Sequence, residues 1–401
     1  MRAAAPTRGA RTTVRSIDEK TYWDYLGASP HAGYQQSPQW GRARSREWHP
    51  ELVGWYRQDG TLTGVALIRT RDLPLLHRSF AIVPQGPVLD WEHGDLPELL
   101  EALRAYARTR HIFTLVVVPP LSLRGWGPAT VKAALAEPGT TLWSQVAPDR
   151  EDPIGRRASE ALAQAGWHHL PQGGVLDSTQ PLFNVWIPLR GRTEEQVLAG
   201  MTRAWRKNIR KAERDGVVVV KGTREDLPAV QRLYTETAER QGFETHPLEY
   251  FEAMWDALAG EQPGRFHLHL ALHDGDLLAA NGTAQAGGHA QGIFAANGSL
   301  KRRIKASNAV YAEIIRQARA DGADDLDIGG VAESLEADGP EAGLLLFKAD
   351  MGGEVREYVG GWELVLSPLL HAVFTRLLSL YSRARHLMDR VPRTIRGRKW
   401  W

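Results

Sequence analysis

Cysteine is absent from all 401 residues, which excludes disulfides, thiolate nucleophiles and cysteine-ligated zinc and fits a reducing, cytoplasmic setting. Net charge is nearly absent too, at +2, so contact with any polyanion must come from local clustering of cations. The 14 histidines form no HExxH or comparable ligand spacing, and no metal is expected. No GxxxxGK[ST] loop is present, so the chain is not expected to bind ATP through such a loop. No stretch reaches the roughly 18 uncharged apolar residues that cross a bilayer; the best, Leu369 to Met388, is broken by Arg376, Arg383 and Arg385. Met1 to Arg15 carries arginines without an acid and lacks the apolar core of a secretory signal, so it reads as a disordered leader.

What is present is enough for ordinary buried cores: 43% of the residues are apolar, and the length fits about two to three domains. The most informative stretch is LAGMTRAWRKNIRKAERDGVVVV, Leu198 to Val220, which joins a helix to a strand. Leu198, Met201, Trp205, Ile209 and Ala212 recur at helical spacing, while Arg203, Arg206, Lys207, Arg210 and Arg214 fall on the other side. Between Thr202 and Ala212 there is no acid, whereas a merely solvated helix usually mixes Glu with its Lys and Arg. A cationic face sorted this way fits an anionic partner.

Turn chemistry shows an internal repeat. Asp59-Gly60 and Asp274-Gly275 each sit between two apolar, strand-like runs, the pattern of a β-hairpin. A helix and a further strand follow each hairpin, and Asp59 to Asp274 spans nearly the same interval as Leu115 to Leu326. The reading is an α/β (α+β) chain of two tandem domains with one topology. The boundaries fall at 16–175, completed by 360–390, and 176–359, with the junction in the Pro, Gly and Ser-rich stretch from Pro171 to Thr179. Glu137 to Arg157 reads as a surface excursion. The late helix at Leu370, Val373, Leu377, Tyr381, Ala384 and Met388 is expected to pack back on the first domain.

Several short segments then line up in order: Ser37-Pro38-Gln39-Trp40-Gly41, Gln85 to Asp90 (QGPVLD), Gln180-Pro181, Met201 to Val217, Glu239 to Phe243 (ERQGF), Ile328 to Val331 (IGGV) and Gly343 to Leu364. Together they resemble the FemABX family of aminoacyl-tRNA-dependent peptidyltransferases, whose members are similar to two fused acetyltransferase-like (GNAT) domains. The resemblance implies transfer of Gly, Ala or Ser from a charged tRNA to a stem-peptide amine of a peptidoglycan precursor, lipid-linked or nucleotide-linked. It implies a cytoplasmic monomer that needs no cofactor beyond the tRNA ester. Tyr234 to Leu268 leaves no room for the family's long helical arm, so the chain resembles the compact subtype.

The resemblance also implies roles for residues. Lys348, after Phe347 in the Phe-Lys pair, matches the group that meets the developing oxyanion, a charge-stabilising task that is typically among the largest catalytic terms. A basic residue after the Gln-x-Trp motif touches the precursor in the family, and Arg42 and Arg44 both qualify. An Arg followed four residues later by Tyr aligns with His246 and Tyr250, and a further family tyrosine aligns with Phe294, so a cation and a hydroxyl are missing. For the tRNA, the stripe of Arg203, Arg206, Lys207 and Arg210 and the cluster of Lys301, Arg302, Arg303 and Lys305 offer the salt-sensitive contacts that phosphates require. Asp325 and Asp327 precede Gly329-Gly330, where a carboxylate either touches a site or supports a turn, and neither is assigned as a general base. Residues 391–401 form a basic, aromatic tail after an amphipathic helix, a combination compatible with an anionic lipid surface. The rival readings are tRNA-dependent transfer onto a peptide antibiotic or a resistance-modified precursor, acetyl-CoA-dependent N-acetylation, and precursor binding without catalysis. NGSLKRRIKASNAVY lacks the glycine spacing that cradles the CoA pyrophosphate.

Overall fold

The computed structural model describes residues 12–388 except 46, 47, 75, 173–175, 177–179, 261–263, 337, 338 and 340. The tail at 391–401, the leader up to residue 11 and most of the 171–179 junction lie outside the described residues. The rest of the expected leader is ordered. Thr13–Ser16 forms strand β1, and Thr13 pairs with Tyr56 at a sheet edge.

In chain order the first half continues with α1 (Glu19–Ala28), α2 (Pro38–Ala43), β2 (His49–Tyr56), β3 (Leu62–Leu73), β4 (Arg78–Val83), β5 (Val88–Leu89), α3 (Leu96–Thr109), β6 (Ile112–Val117), β7 (Ser122–Trp126), α4 (Pro128–Ala136), β8 (Arg150–Glu151), α5 (Pro153–Gln164) and β9 (His168–His169). The second half holds β10 (Phe183–Pro188), α6 (Glu194–Ala199), α7 (Arg203–Arg214), β11 (Val218–Lys221), α8 (Leu227–Gln241), α9 (Leu248–Trp255), β12 (Phe266–His273), β13 (Asp276–Ala286), β14 (His289–Asn297), α10 (Ala306–Ala320) and β15 (Asp325–Val331). It closes with α11 (Ala342–Asp350), β16 (Glu354–Tyr358), β17 (Trp362–Val365) and α12 (Pro368–Met388).

Two sheets result, ordered β1-β2-β3-β4-β6-β17-β9 and β11-β12-β13-β14-β15-β10-β16-β7-β8. Both follow one plan, a meander of four, a parallel neighbour reached through a helix, then antiparallel strands, two in the first sheet and four in the second. The parallel steps are β4 to β6 and β14 to β15, crossed by α3 and α10. Both Asp-Gly pairs lie in hairpins, but the turns differ. Asp274 and Gly275 both take positive φ, 50° and 82°, as a two-residue type I′ turn needs. At the first, only Gly60 does (φ 86°), and the longer loop is closed by Arg57 N–H to the Thr61 carbonyl at 2.9 Å.

The halves exchange strands. β17, the last strand of the chain, lies between β6 and β9 in the first sheet, and β7 of the first half pairs with β16 in the second. The stretch 137–157, expected at the surface, carries a fully buried Trp143, whose ring packs 5.0 Å from Trp126 and 5.9 Å from Phe183. An indole of that area is driven inward even from a loop rich in Pro, Gly and charge. Leu370, Phe374 and Leu378 of α12 pack on Phe80, Phe113 and Trp48 of the first sheet. The segment 234–268 folds as the end of α8, the short α9 and a π-helical turn at Asp256–Gly260 before β12.

Candidate active site

The two parallel steps differ where a ligand could enter. β14 and β15 pair only at His289, Ala290 and Gln291 with Asp325, Leu326 and Asp327, and then part. Each strand is bulged there: β14 shifts register against β13 between Gly282 and Thr283, and β15 against β10 between Asn184 and Trp186. Bulges bend strands away from a neighbour. The gap opens a cavity of about 180 Å³, walled by Asn281, Thr283, Phe294, Tyr311, Asp327 and Gly329 among others.

Lys348 lies beside this opening. It is on α11, 5% exposed, and its Nζ donates to the Gly330 carbonyl at 2.8 Å. Burial lowers its pKa to about 8, opposed by the nearby Asp327 carboxylate. Gly329 has φ 90°, a left-handed backbone that glycine adopts without strain, and its Cα lies close to the ammonium. Asp327 is buried and accepts from Asn184 Nδ2 at 2.7 Å and from the Gly329 N–H at 2.7 Å. Burial raises its pKa, while those donors and Lys348 act against the rise. A buried charge persists only when it is compensated: Lys348 is hydrogen-bonded to the Gly330 carbonyl, Asp327 to Asn184 and the Gly329 N–H, and each group's charge favours the charged form of the other. Asp325 is different: it holds His289 Nδ1 at 2.5 Å and the Arg356 guanidinium at 2.9 Å, and His289 Nε2 reaches the Pro30 carbonyl at 2.5 Å. It ties the two halves together, and Asp327 is the carboxylate at the lysine. Asn184 and Asp327 were not picked out as a pair by the sequence, because 143 positions separate them.

Phe347 does not touch the reactive groups described. Its ring packs 5.0 Å from Trp205 and 6.0 Å from Tyr311, and its carbonyl accepts from Trp205 Nε1 at 3.1 Å. It fastens α11 to α7 and so positions Lys348.

A second cluster reaches the cavity from the first half. Arg42 is engaged by Glu19 at 2.8 Å, whereas the Arg44 guanidinium lies 5.8 Å from the Tyr250 ring centre. His246 stacks on Tyr250 at 4.1 Å, and Trp40 packs edge-on to both Tyr250 and Tyr34. Burial, then Arg44, lowers the His246 pKa, so the ring is neutral near pH 7. Tyr34 N–H donates to Gln291 Oε1 at 3.3 Å, in the last paired step before β14 and β15 part. Phe294 lines the cavity and packs 5.2 Å from Phe251, in the same apolar cluster as Trp40.

The cationic residues divide. Arg203, Lys207 and Arg210 are exposed on α7, but Arg206 caps the end of α6 through the Leu198, Ala199 and Met201 carbonyls. Arg203 opens α7, whose first turn has no acid. A cation there opposes the helix dipole at a cost of about 0.3–1 kcal/mol, which simple solubility does not explain. Arg302, Arg303 and Lys305 are exposed before α10, whose N-terminus has no side-chain cap. Lys301 instead binds Asp276 at 2.9 Å and Asp274 at 3.4 Å. The pairing of Lys301 with Asp274 and Asp276 depends on the folded hairpin and is not visible in the sequence.

Comparison with known proteins adds an independent observation. A model of the FemAB family matches residues 17–271 and 285–378. A lipid II:glycine glycyltransferase of Staphylococcus aureus (strain MRSA252) is 20% identical, over 91% of this chain and 96% of the relative. One of Staphylococcus epidermidis (strain RP62A) is 22% identical, over 89% of this chain and 94% of the relative. The crystal structure of FemX superposes with a TM-score of 0.75 at 18% identity, over 90% of this chain and 99% of that one, a likeness of fold.

Proposed function

Because the chain belongs to the FemAB family, we propose that it is an aminoacyltransferase that moves an amino acid from an aminoacyl-tRNA to the stem-peptide amine of a lipid-linked peptidoglycan precursor. The observation that carries this reading is a buried lysine at the open end of a split sheet, with a carboxylate beside it and an aromatic, Arg44-bearing cluster across from it. Both relatives named above are glycyltransferases acting on lipid II, which supports the lipid-linked acceptor.

The chemistry is ester aminolysis. The amine nitrogen attacks the ester carbonyl carbon, the carbonyl oxygen becomes an oxyanion, and the C–O bond to the ribose breaks as the amide forms. One proton leaves the amine and one reaches the ribose oxygen, so the sum needs no ATP. Lys348 meets the oxyanion as a cation that is already desolvated and aimed, which is where fixed charge is most effective. Asp327 favours the charged form of the ammonium, and the Gly330 carbonyl orients it. The exposed residues of α7 and of the loop before α10 hold tRNA phosphates, and Trp205 and Phe347 carry α7 alongside the helix that bears the lysine.

His246 and Phe294 stand where the family has an Arg and a Tyr. With a neutral ring in place of a cation, this acceptor pocket binds anions more weakly, which favours a precursor with altered stem chemistry over the unmodified one. The deciding experiment incubates purified protein with charged tRNA and a panel of lipid-linked and water-soluble precursors and reads products by mass spectrometry. An added aminoacyl mass on a stem peptide is expected. Acetyl transfer from acetyl-CoA with no use of charged tRNA would sink the reading.

A further inference from the structure

Helix α12 has two apolar sides, and among the described residues only one is covered. Leu370, Phe374 and Leu378 pack on the first sheet. Leu369, Val373, Leu377 and Leu380 are 85%, 54%, 60% and 60% exposed, and their spacing places them in one stripe. Isolated exposed leucines are ordinary, but a continuous stripe marks an interaction surface.

Charge says which partner it suits. Pro368–Met388 contains no Asp or Glu, and Arg376 is exposed beside the stripe. Arg383 and Arg385 follow in the sequence, and the chain ends in five further cations and Trp400-Trp401 after Asp389. A protein partner in a bundle would ask for mixed charge, whereas this one-sided composition is complementary to anionic headgroups over acyl chains. Among the described residues no helix is long and apolar enough to cross a membrane, so α12 can lie on a bilayer but not span it. The hairpin tip between β3 and β4 lies on the same side of the first sheet: Leu73 packs in the cluster that holds Leu370 and Phe374, Leu76 is 53% exposed, and Arg78 is exposed.

We propose that α12, with the β3–β4 hairpin tip, docks the protein on an anionic lipid bilayer, the helix lying in the plane of the interface. The inference stands on this surface and does not require the acceptor to be lipid-linked, although it would set the protein where such an acceptor resides.

The test is co-sedimentation of the full-length protein with vesicles of phosphatidylcholine alone or mixed with phosphatidylglycerol. Binding is expected to be at least tenfold stronger on the anionic vesicles. Leu377→Glu with Leu380→Glu is expected to cut it at least tenfold, with the melting temperature kept because both side chains face solvent. Arg376→Glu should lower it about fivefold and flatten its salt dependence. If all variants sediment like wild type, the surface is not the one that binds. If wild type ignores both vesicles and is a dimer that the Leu377 and Leu380 changes split, the stripe is an interface between copies and the proposal falls. Transfer to a water-soluble precursor, measured in parallel, keeps the outcome separate from the enzymatic reading: a wild-type protein that transfers normally but binds neither vesicle overturns only the membrane inference, and variants that lose vesicle binding with intact transfer support it.

Discussion

In the first sheet β4 and β6 stay paired from Ser79 and Ile112 to Val83 and Val117, and the chain then seals the gap by itself. Gly86 and Val118 exchange backbone hydrogen bonds of 2.9 and 3.1 Å, and Gln36 Nε2 donates to the Pro84 carbonyl at 2.5 Å. A Cβ on Gly86 would meet the Gln36 side chain at 2.7 Å, so the seal has no spare room. In the second sheet β14 and β15 part after three paired steps, and the chain beyond β14 leads away to α10. One scaffold, used twice, is closed in one copy and open in the other. The QGPV segment, one of the stretches that carried the family resemblance, is part of the plug. At QGPV the resemblance therefore marks structure, whereas in the second half Ile328 and Gly329 line the open split and Lys348 lies beside it.

That contrast can be broken hardest at the lysine. Lys348→Met is expected to lower transfer by about 10²–10³-fold with the fold intact, because nothing else described at the split presents a desolvated cation; single-turnover transfer assays read it. The same residue gives a pH signature. Lys348 is protonated below its lowered pKa of about 8 and loses that charge as pH rises through it, so activity should fall on the alkaline side near pH 8. In Lys348→Arg, whose guanidinium stays charged, the residual activity should lack that fall. A pH–rate profile with no alkaline decline in wild type would count against the role.

Closing the open copy sterically should come next. Ala295→Trp, on the cavity wall beside Phe294, is expected to reduce transfer at least tenfold in the same assay, with the melting temperature kept. Unchanged transfer would mean that the cavity takes no part in the reaction. Reversing Arg203, Lys207 and Arg210 together to Glu should weaken tRNA use about tenfold at moderate salt and make it less salt-dependent, while Arg206→Glu should instead lower the melting temperature by uncapping α6. The smallest effect expected is for His246→Arg. It restores a permanent cation at the acceptor cluster and should change precursor affinity only a few-fold at pH 7, measured by calorimetry, with a larger gain for an unmodified stem than for an altered one.

Local signals decided much of this protein from the sequence alone. Asp-Gly turns fix hairpins through backbone conformation, and period and capping fix helices such as α7, where Thr202 caps the Trp205 N–H; both act within a few residues and need no partner. The Phe-Lys pair is legible as a pair, while the structure shows Phe347 packed on Trp205 and Tyr311. What only the tertiary structure decided rests on spatial neighbours: β17 entering the first sheet and β7 the second, Arg42 set against Glu19 and Arg44 against the Tyr250 ring, Lys301 paired with Asp276 and Arg206 with the end of α6. Above all it decided that Lys348 is buried. A lysine reads as exposed in any sequence, because desolvation and an opposing carboxylate are properties of the volume around it, and here that volume is assembled from four separate segments, β10, β14, β15 and α11.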